Sequence, residues 1–224
     1  MYNSVMTALS SSMVPMDPDE RRRRLLESAA QVLDEDGQHG LSLRRIAAEA
    51  GGSTQLVYTL YGGKPGLADA LYAEGFRRLA AAMTQALATA VPGRGDPERL
   101  VHVGRAYRAF AHAEPAFFAV MFGRAIADFT PTTATRLYGR QCTFGQVVSE
   151  VQACLDAGTL VGACAEDLAR LCWLTVHGLS SLEVAGLATA EDPEAFADHV
   201  LRVPLLAHRP SDVPADAPRC RKEP

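Results

Sequence analysis

The sequence predicts an all-α protein of about nine helices, and three observations support this fold class. Hydrophobic residues make up 48% of the 224 residues, but aromatic residues make up only 7%. Alanine supplies much of the apolar content, and alanine favours helices over strands. Helix start and stop signals recur at helical spacing, while no strand-like alternation runs longer than about four residues.

The first part of the chain predicts four helices. The first begins at residues 17–20, where an Asp N-cap, a proline and a glutamate indicate a helix start, and it ends near residue 36. Glycine pairs separate the next three helices, which cover about residues 42–50, 53–61 and 64–91. The first and fourth helices carry the main apolar stripes, formed by Leu25, Leu26, Ala29, Val32, Leu33, Leu67, Leu71, Phe76, Leu79 and Met83.

Five further helices are predicted after Pro92 and Gly93. Asp-Pro and Glu-Pro pairs mark three of the starts, because proline is favoured in the first turn of a helix. The predicted spans are about residues 96–113, 115–122, 132–157, 166–187 and 193–207.

Composition and charge exclude several classes of protein. The net charge of −4 is not that of a general polyanion binder. Five cysteines without a C-x-x-C pair argue against a secreted disulfide scaffold, so we expect buried small residues plus one thiol, Cys220, near the C-terminus. Residues 1–16 lack the features of a signal peptide, and no apolar run approaches the roughly 20 residues of a membrane span. We therefore expect a cytoplasmic protein without membrane contact.

The segment Ser42–Lys64 has the outline of a helix-turn-helix. Two helices of about eight residues are joined by a tight turn that contains Gly51 and Gly52. The inner face should be anchored by Ile46, Ala47, Val57 and Tyr61. The outer face of the second helix is short, polar and free of acid, as entry into a DNA major groove requires. On spacing alone, an ordinary helical hairpin remains an alternative.

Residues around this unit are suited to DNA. Gln55 can pair with adenine through two hydrogen bonds, and Thr54 and Thr59 can meet a hydroxyl partner or a thymine methyl. Lys64 and Ser42 each lie at a helix start, where free backbone N–H groups favour phosphate. Between residues 40 and 66 the charged residues are Arg44, Arg45 and Lys64 against Glu49 alone, and a second basic clamp is expected at Arg21, Arg22, Arg23 and Arg24.

The stretch from Arg22 to Phe76 resembles the DNA-binding domain of the tetracycline-repressor (TetR) family of bacterial regulators. The order and spacing match the family pattern without a gap at Gly40, Ser42, Ile46, Ala47, Ala50, Gly51, Ser53, Tyr58, Tyr61, Lys64 and Leu67. The sequence departs from that pattern at Gly52, at Gln55 and at the pair Gly62-Gly63. By this resemblance the DNA-binding set is Ser42, Arg44, Arg45, Ser53, Thr54, Gln55, Tyr58, Thr59 and Lys64.

The resemblance also implies a domain organisation. Residues 1–16 would form a disordered arm, and residues 17–78 a DNA-binding domain with its helix-turn-helix at about 42–61. Residues 79–207 would form a larger regulatory and dimerisation domain, and residues 208–224 a disordered tail.

Trp173, His177 and Gly178 resemble the W-H-G signature of one class of C-terminal domains in this family. In that class the last two long helices pair across a two-fold axis, which implies a homodimer with an interface at Trp173, His177, Gly178, Ser181, Leu182 and Ala185. His177 has three interpretations: a neutral core or interface residue, a ligand or proton sensor, or a metal ligand. We favour the first.

The region between Asp96 and Ala157 would enclose an effector pocket for an unidentified small molecule. The candidates to line it are His102, Tyr107, Phe110, Phe117, Phe118, Phe122, Tyr138 and Gln141, although plain core packing is the favoured alternative for each of them. The cluster of aromatic residues in this region, with few acidic residues among them, favours an apolar or aromatic ligand. No H-E-x-x-H or E-x-x-H motif supports a metal site, and we expect no cofactor.

These features predict a DNA-binding transcriptional regulator, a repressor that a small-molecule effector releases from a palindromic operator. Two other classes remain as alternatives: a helical ligand-binding or scaffold protein without specific DNA binding, and an all-α enzyme that uses the C-terminal cavity. The enzyme is disfavoured, because neither G-x-S-x-G nor a complete P-loop occurs.

Overall fold

The computed structural model describes residues 17–36, 41–123, 125–188 and 190–210. The predicted arm at 1–16, Gly40 and the tail after residue 210 lie outside the described residues. The described residues form ten helices and no strand: α1 Pro18–Asp36, α2 Leu43–Glu49, α3 Thr54–Tyr61, α4 Lys64–Thr89, α5 Glu98–Ala113, α6 Pro115–Phe122, α7 Thr133–Cys142, α8 Phe144–Asp156, α9 Ala165–Val184 and α10 Pro193–Leu206. The all-α fold is therefore confirmed.

Helix starts agree with the signals in the sequence. Ser42 is the N-cap of α2, and its hydroxyl accepts a hydrogen bond from the Arg45 N–H at 3.5 Å. Asp192 caps α10 by accepting from the Ala195 N–H at 3.0 Å. These side chains satisfy backbone donors that the first turn of a helix leaves without partners.

The helix predicted for residues 132–157 is instead two helices, α7 and α8, which meet at Thr143. Thr143 is completely buried, and its hydroxyl donates to the Gly139 carbonyl at 2.7 Å. A threonine that bonds back to the preceding turn competes with the helical hydrogen-bond pattern. A Cβ on Gly139 would lie 2.8 Å from the Phe76 ring, so this junction also packs closely against α4.

The core runs continuously from the small N-terminal helices into the larger C-terminal bundle. Leu25, Ile46 and Val57 are fully buried where α1, α2 and α3 meet, and Leu67 and Leu71 of α4 complete that core. Further along, α4 packs against α5, α6 and α7, while α9 packs against α5, α8 and α10. Helix α4 thus connects the helix-turn-helix to the bundle.

The cysteines only partly match the expectation that they are buried, unpaired residues. Cys154 is buried, and Cys142 and Cys172 are half-buried free thiols. Cys164 takes part in a disulfide bond, which the odd cysteine count did not predict.

No helix among the described residues is both long and apolar enough to cross a bilayer, and these residues include no cluster of three potential metal ligands.

Candidate functional site

Helices α2 and α3 form the predicted helix-turn-helix. The turn between them uses Gly51 at a φ of 70°, in the left-handed region that favours glycine. The predicted anchors Ile46, Ala47 and Val57 are all buried. Tyr61 is half-buried, and its hydroxyl donates to the Arg22 carbonyl at 3.0 Å, which ties α3 to α1. Burial raises the pKa of Tyr61 to about 12, so it remains a donor at neutral pH.

The other face of α3 is exposed and polar, as the sequence predicts. Thr54, Gln55 and Thr59 are exposed, and Tyr58 is 56% exposed. The Thr59 hydroxyl donates to the Gln55 carbonyl at 2.9 Å, which leaves its methyl group and an acceptor lone pair for DNA. Ser53 is the N-cap of α3 by position, although its side chain makes no capping hydrogen bond.

The junction between α3 and α4 lies at the predicted glycine pair, and the close packing at Gly63 and Gly66 was not predicted. Gly62 and Gly63 have φ values of 71° and 103°. A Cβ on Gly63 would lie 2.9 Å from the Tyr58 ring, so that ring packs directly on the backbone. A Cβ on Gly66 would collide with the Tyr61 carbonyl oxygen. The start of α4 therefore lies against the end of α3, with Lys64 exposed beside it.

The basic surface is weaker than a count of its residues predicts. Arg45 forms ion pairs with Glu35 and with Glu49, the latter at 2.8 Å, and so links α1 to α2. Arg23 and Arg24 share the Glu20 carboxylate at 2.8 and 3.0 Å, while Arg22 lies 3.7 Å from Asp19. Arg44 and Lys64 are exposed, and no ion pair is found for them within the described residues. The two carboxylates of Asp19 and Glu20 thus offset about half of the positive charge of the expected clamp at Arg21–Arg24.

Arg78 connects the helix-turn-helix unit to the bundle. Its guanidinium pairs with Glu27 of α1, with Glu74 at 2.9 Å and with Glu114 at 3.0 Å. It also lies 4.3 Å from the centre of the Phe117 ring. These partners hold the pKa of Arg78 above its usual range despite the desolvation that opposes it. This cluster could not be predicted from the sequence, because Glu27, Arg78 and Glu114 are far apart along the chain.

An aromatic cluster fills the middle of the bundle. Tyr107 lies 5.1 Å from Trp173, and Phe122 lies 4.7 Å from His177, between ring centres. The Tyr107 hydroxyl lies 2.9 Å from His177 Nδ1. Burial raises the pKa of Tyr107 and lowers that of His177, so the tyrosine donates to a neutral imidazole.

Two of the predicted interface residues contribute their side chains to this cluster. Trp173 and His177 are half-buried and contact Tyr107 and other interior rings. His177 is the neutral core residue of our first interpretation. Gly178, Leu182 and Ala185 lie on another side of α9, where a Cβ on Gly178 would meet nothing within 4 Å. Ser181 lies one turn after His177 on the same face, and its hydroxyl is 3.5 Å from His177 Nε2.

The predicted effector residues do not surround one pocket. Tyr107, Phe118 and Phe122 belong to the aromatic cluster, and Phe110 and Phe117 are buried core residues. Tyr138 is 42% exposed and Gln141 is exposed, so both lie outside the interior, and His102 is only half-buried. The cavity inside the bundle is small, about 20 Å³, which is room for a single water molecule. Of the predicted set, only Tyr107 lines it.

An apolar face covers the outside of α9 and α10. Leu174 is 59% exposed, and the same stripe of α9 contains Leu171 and Leu182. Its spacing of three and four residues also passes through Gly178 and Ala185. On α10 the exposed apolar residues are Phe196, Val203 and Leu206. Gly178, Leu182 and Ala185 of this stripe were predicted to lie at an interface. Leu171 and Leu174 were not, although their spacing from Gly178 was a signal that could have found them.

We expect the free energy of unfolding to fall as the pH drops from 7.5 to 5.5. Burial lowers the pKa of His177 in the folded protein, whereas the unfolded chain takes up the proton near pH 6.5. The unfolded state therefore binds more protons in this range and gains stability as the pH falls. Urea unfolding at both pH values tests this. His177→Gln keeps an acceptor for Tyr107 but cannot titrate, so its pH dependence should be flatter; equal slopes would refute the assignment.

Comparisons with known proteins agree with this architecture. Residues 25–71 match the model of bacterial regulatory proteins of the tetR family, and residues 100–203 match the model of tetracyclin repressor-like C-terminal domains. The helix-turn-helix regulator BetI of Vibrio atlanticus is 34% identical over 83 residues, which is 37% of this chain. That match spans only 41% of the BetI chain.

Solved structures show the same fold over most of the chain. A protein of unknown function from Rhodococcus sp. RHA1 is 29% identical, with a TM-score of 0.68 over 81% of this chain and 93% of its own. A TetR family transcription regulator from Marinobacter aquaeolei has a TM-score of 0.66 at 16% identity, over 85% of this chain and 96% of its own. The two family models together match about two thirds of the sequence. The chain therefore belongs to the tetracycline-repressor family of bacterial regulatory proteins.

Proposed function

We propose that the protein is a sequence-specific DNA-binding transcriptional regulator. In this proposal it is a homodimeric repressor that a small-molecule effector releases from a palindromic operator. The observation that carries the proposal is the exposed, acid-free face of α3, which Val57 anchors from behind and which lies beside Lys64 at the start of α4. A major groove admits such a helix, and a helix start with a lysine favours a phosphate.

Within this proposal the DNA-facing residues have distinct roles. Gln55, Thr54 and Thr59 face base edges, and Tyr58 brings its hydroxyl to a phosphate while its ring packs on Gly63. Ser42, Arg44 and Lys64 contact the phosphate backbone of the DNA from the first turns of α2 and α4 or the residue just before them. Arg45 and Ser53, which the family resemblance also suggested, serve to position α2 and α3. The ion pairs of Arg45 with Glu35 and Glu49 support that role.

The homodimer would form through the apolar face of α9 and α10. A palindromic operator needs two recognition helices about 34–36 Å apart. A second protomer, related to the first by a two-fold axis through this face, would provide the second recognition helix. Exposed leucines at helical spacing on a protomer are typical of an interface rather than a free surface. In this arrangement effector and operator would weaken each other's binding by the same factor.

A helical ligand-binding or scaffold protein is the second candidate, because ion pairs offset part of the positive charge of the basic surface. Preference for one DNA sequence over another distinguishes the two candidates. A regulator should bind a duplex selected from a random library at least about 1,000-fold more tightly than a scrambled duplex, as measured by fluorescence anisotropy. Equal affinity for both duplexes would favour the scaffold protein.

Two substitutions should separate base recognition from phosphate binding. Gln55→Ala should cost about 1–3 kcal/mol at one position of each half-site and relax the preference there. Lys64→Met should weaken binding to every duplex and reduce the salt slope by about 0.9 for each protomer. Anisotropy at several salt concentrations, with single-base variants of the operator, measures both effects. If neither variant changes operator affinity, α3 is not the recognition helix.

A further inference from the structure

A cleft of about 270 Å³ opens to solvent where α4, α6, α7, α8 and α9 meet, and we name it the arginine cleft. Its apolar walls include Phe76, Phe122, Phe144 and Trp173. Arg136 and Arg140 lie on successive turns of α7 at its edge. It is distinct from the inner cavity of about 20 Å³, which lies on the other side of Trp173 and also contacts that side chain.

The walls suit an aromatic ring. Phe76 and Phe122 meet edge to face at 5.6 Å, and Phe144 and Trp173 do so at 6.0 Å. An additional ring can extend such an arrangement, because aromatic pairs prefer edge-to-face contacts at 4.5–7 Å. A dry cavity of about 150 Å³ is enough to hold benzene. The arginine cleft therefore has room for one ring and a short side chain.

The charge of the cleft favours an anion. Arg140 pairs with Glu166 at 2.8 Å. The Arg136 guanidinium donates to the Thr133 hydroxyl at 3.4 Å, and no carboxylate of the described residues lies within ion-pair distance of it. Asp69 does not line the cleft, and its carboxylate accepts hydrogen bonds from Thr132 and Thr135 at 2.8 Å. The Arg136 guanidinium is thus available to a carboxylate, which an arginine can bind through two parallel hydrogen bonds.

We propose that the arginine cleft binds a small aromatic monocarboxylate, with its ring among Phe122, Phe144 and Trp173 and its carboxylate on Arg136. The regulatory part of this inference, that such a ligand is the effector, rests on the proposed function. The position of the cleft supports it. Asp69 of α4 holds the start of α7, and Lys64 lies five residues before Asp69 on the same helix. A ligand between α4 and α7 therefore acts on the helix that carries the recognition unit.

Trp173 is the only tryptophan in the chain, so its fluorescence reports on the cleft directly. The probe is 3-phenylpropanoate, titrated into the full-length protein without DNA. We expect a saturable change, with binding at least about tenfold weaker for the neutral 3-phenylpropanamide and for 3-cyclohexylpropanoate. Arg136→Gln should weaken binding of the acid by a similar factor and remove the preference over the amide. Arg105→Gln, at an exposed arginine outside the cleft, should leave both unchanged.

Three results would overturn the inference in separate parts. No saturable change up to about 10 mM would refute the site, because that affinity is too weak for a built pocket. If 3-phenylpropanoate and its amide bind equally well, or if Arg136→Gln does not weaken binding of the acid, recognition of the charge is refuted. If 3-cyclohexylpropanoate binds as tightly as 3-phenylpropanoate, recognition of the aromatic ring is refuted. Saturation without any loss of operator affinity would refute the effector role alone. Since the titration needs no DNA, it tests the cleft even if specific DNA binding fails.

Discussion

Gly66→Ala should destabilise the protein by about 3 kcal/mol or more and abolish operator binding. The new Cβ would collide with the Tyr61 carbonyl oxygen, which is backbone and cannot rotate away. Overpacking normally costs about 1–3 kcal/mol, and the larger values arise where no flexible side chain can yield. Relief would require α3 to separate from α4, which displaces Gln55 and Thr59 relative to Lys64. Urea unfolding and anisotropy with the selected operator measure both effects.

Gly145→Ala is the matched control. Gly145 is also near the start of a helix, α8, but a Cβ there would meet nothing within 4 Å. Replacing a helical glycine with alanine in open space should leave stability unchanged or raise it by up to about 1 kcal/mol. Operator affinity should be unchanged. If Gly66→Ala were as stable as this control, the close contact between α3 and α4 would be refuted.

Leu174→Glu should convert the homodimer into folded monomers. Leu174 is 59% exposed on the protomer, so a glutamate there costs little in folding. In the proposed interface the carboxylate would be buried without a partner, and each dimer would bury two of them. We expect the dissociation constant of the dimer to rise at least about 1,000-fold, equivalent to about 4 kcal/mol. Sedimentation velocity measures the change, and far-UV circular dichroism checks the fold.

Leu137→Glu provides the comparison for the dimer test. Leu137 of α7 is 52% exposed, close to the value for Leu174, but it does not lie on α9 or α10. The Leu137→Glu variant should remain dimeric and should bind the operator with unchanged affinity. A dimeric Leu174→Glu variant would place the interface elsewhere, and equal dissociation of both variants would point to a general loss of solubility.

The local features of the fold were predictable because they depend on short-range chemistry. Ser42 and Asp192 cap helices as their positions predict, since an N-cap needs only a side-chain oxygen next to free N–H groups. The apolar stripe of α1 likewise marks its buried face, as Leu25 and Val32 show. The break at Thr143 was not predictable, because it depends on a hydroxyl that bonds back within α7 and on close packing against Phe76.

The candidate sites also differ in how far the local sequence could predict them. The exposed face of α3 follows from the pattern of one short helix, so the sequence was enough to place Gln55 and Thr59. The contacts of Trp173 and His177 with Tyr107 were not predicted, because the rotation of a helix about its axis depends on the elements that pack against it. Arg78 and the arginine cleft join residues that are distant in sequence, so only the packed structure brings them together.

Selection from a random duplex library tests the central claim most directly. The purified protein would be mixed with the library, and bound duplexes would be recovered, amplified and sequenced over several rounds. We predict a two-fold symmetric motif whose half-sites are one helical turn apart, about 10–10.5 base pairs, or a multiple of it. The same selection with Gln55→Ala should relax one position in each half-site. Enrichment of no motif, or of one without symmetry, would contradict a dimeric sequence-specific regulator.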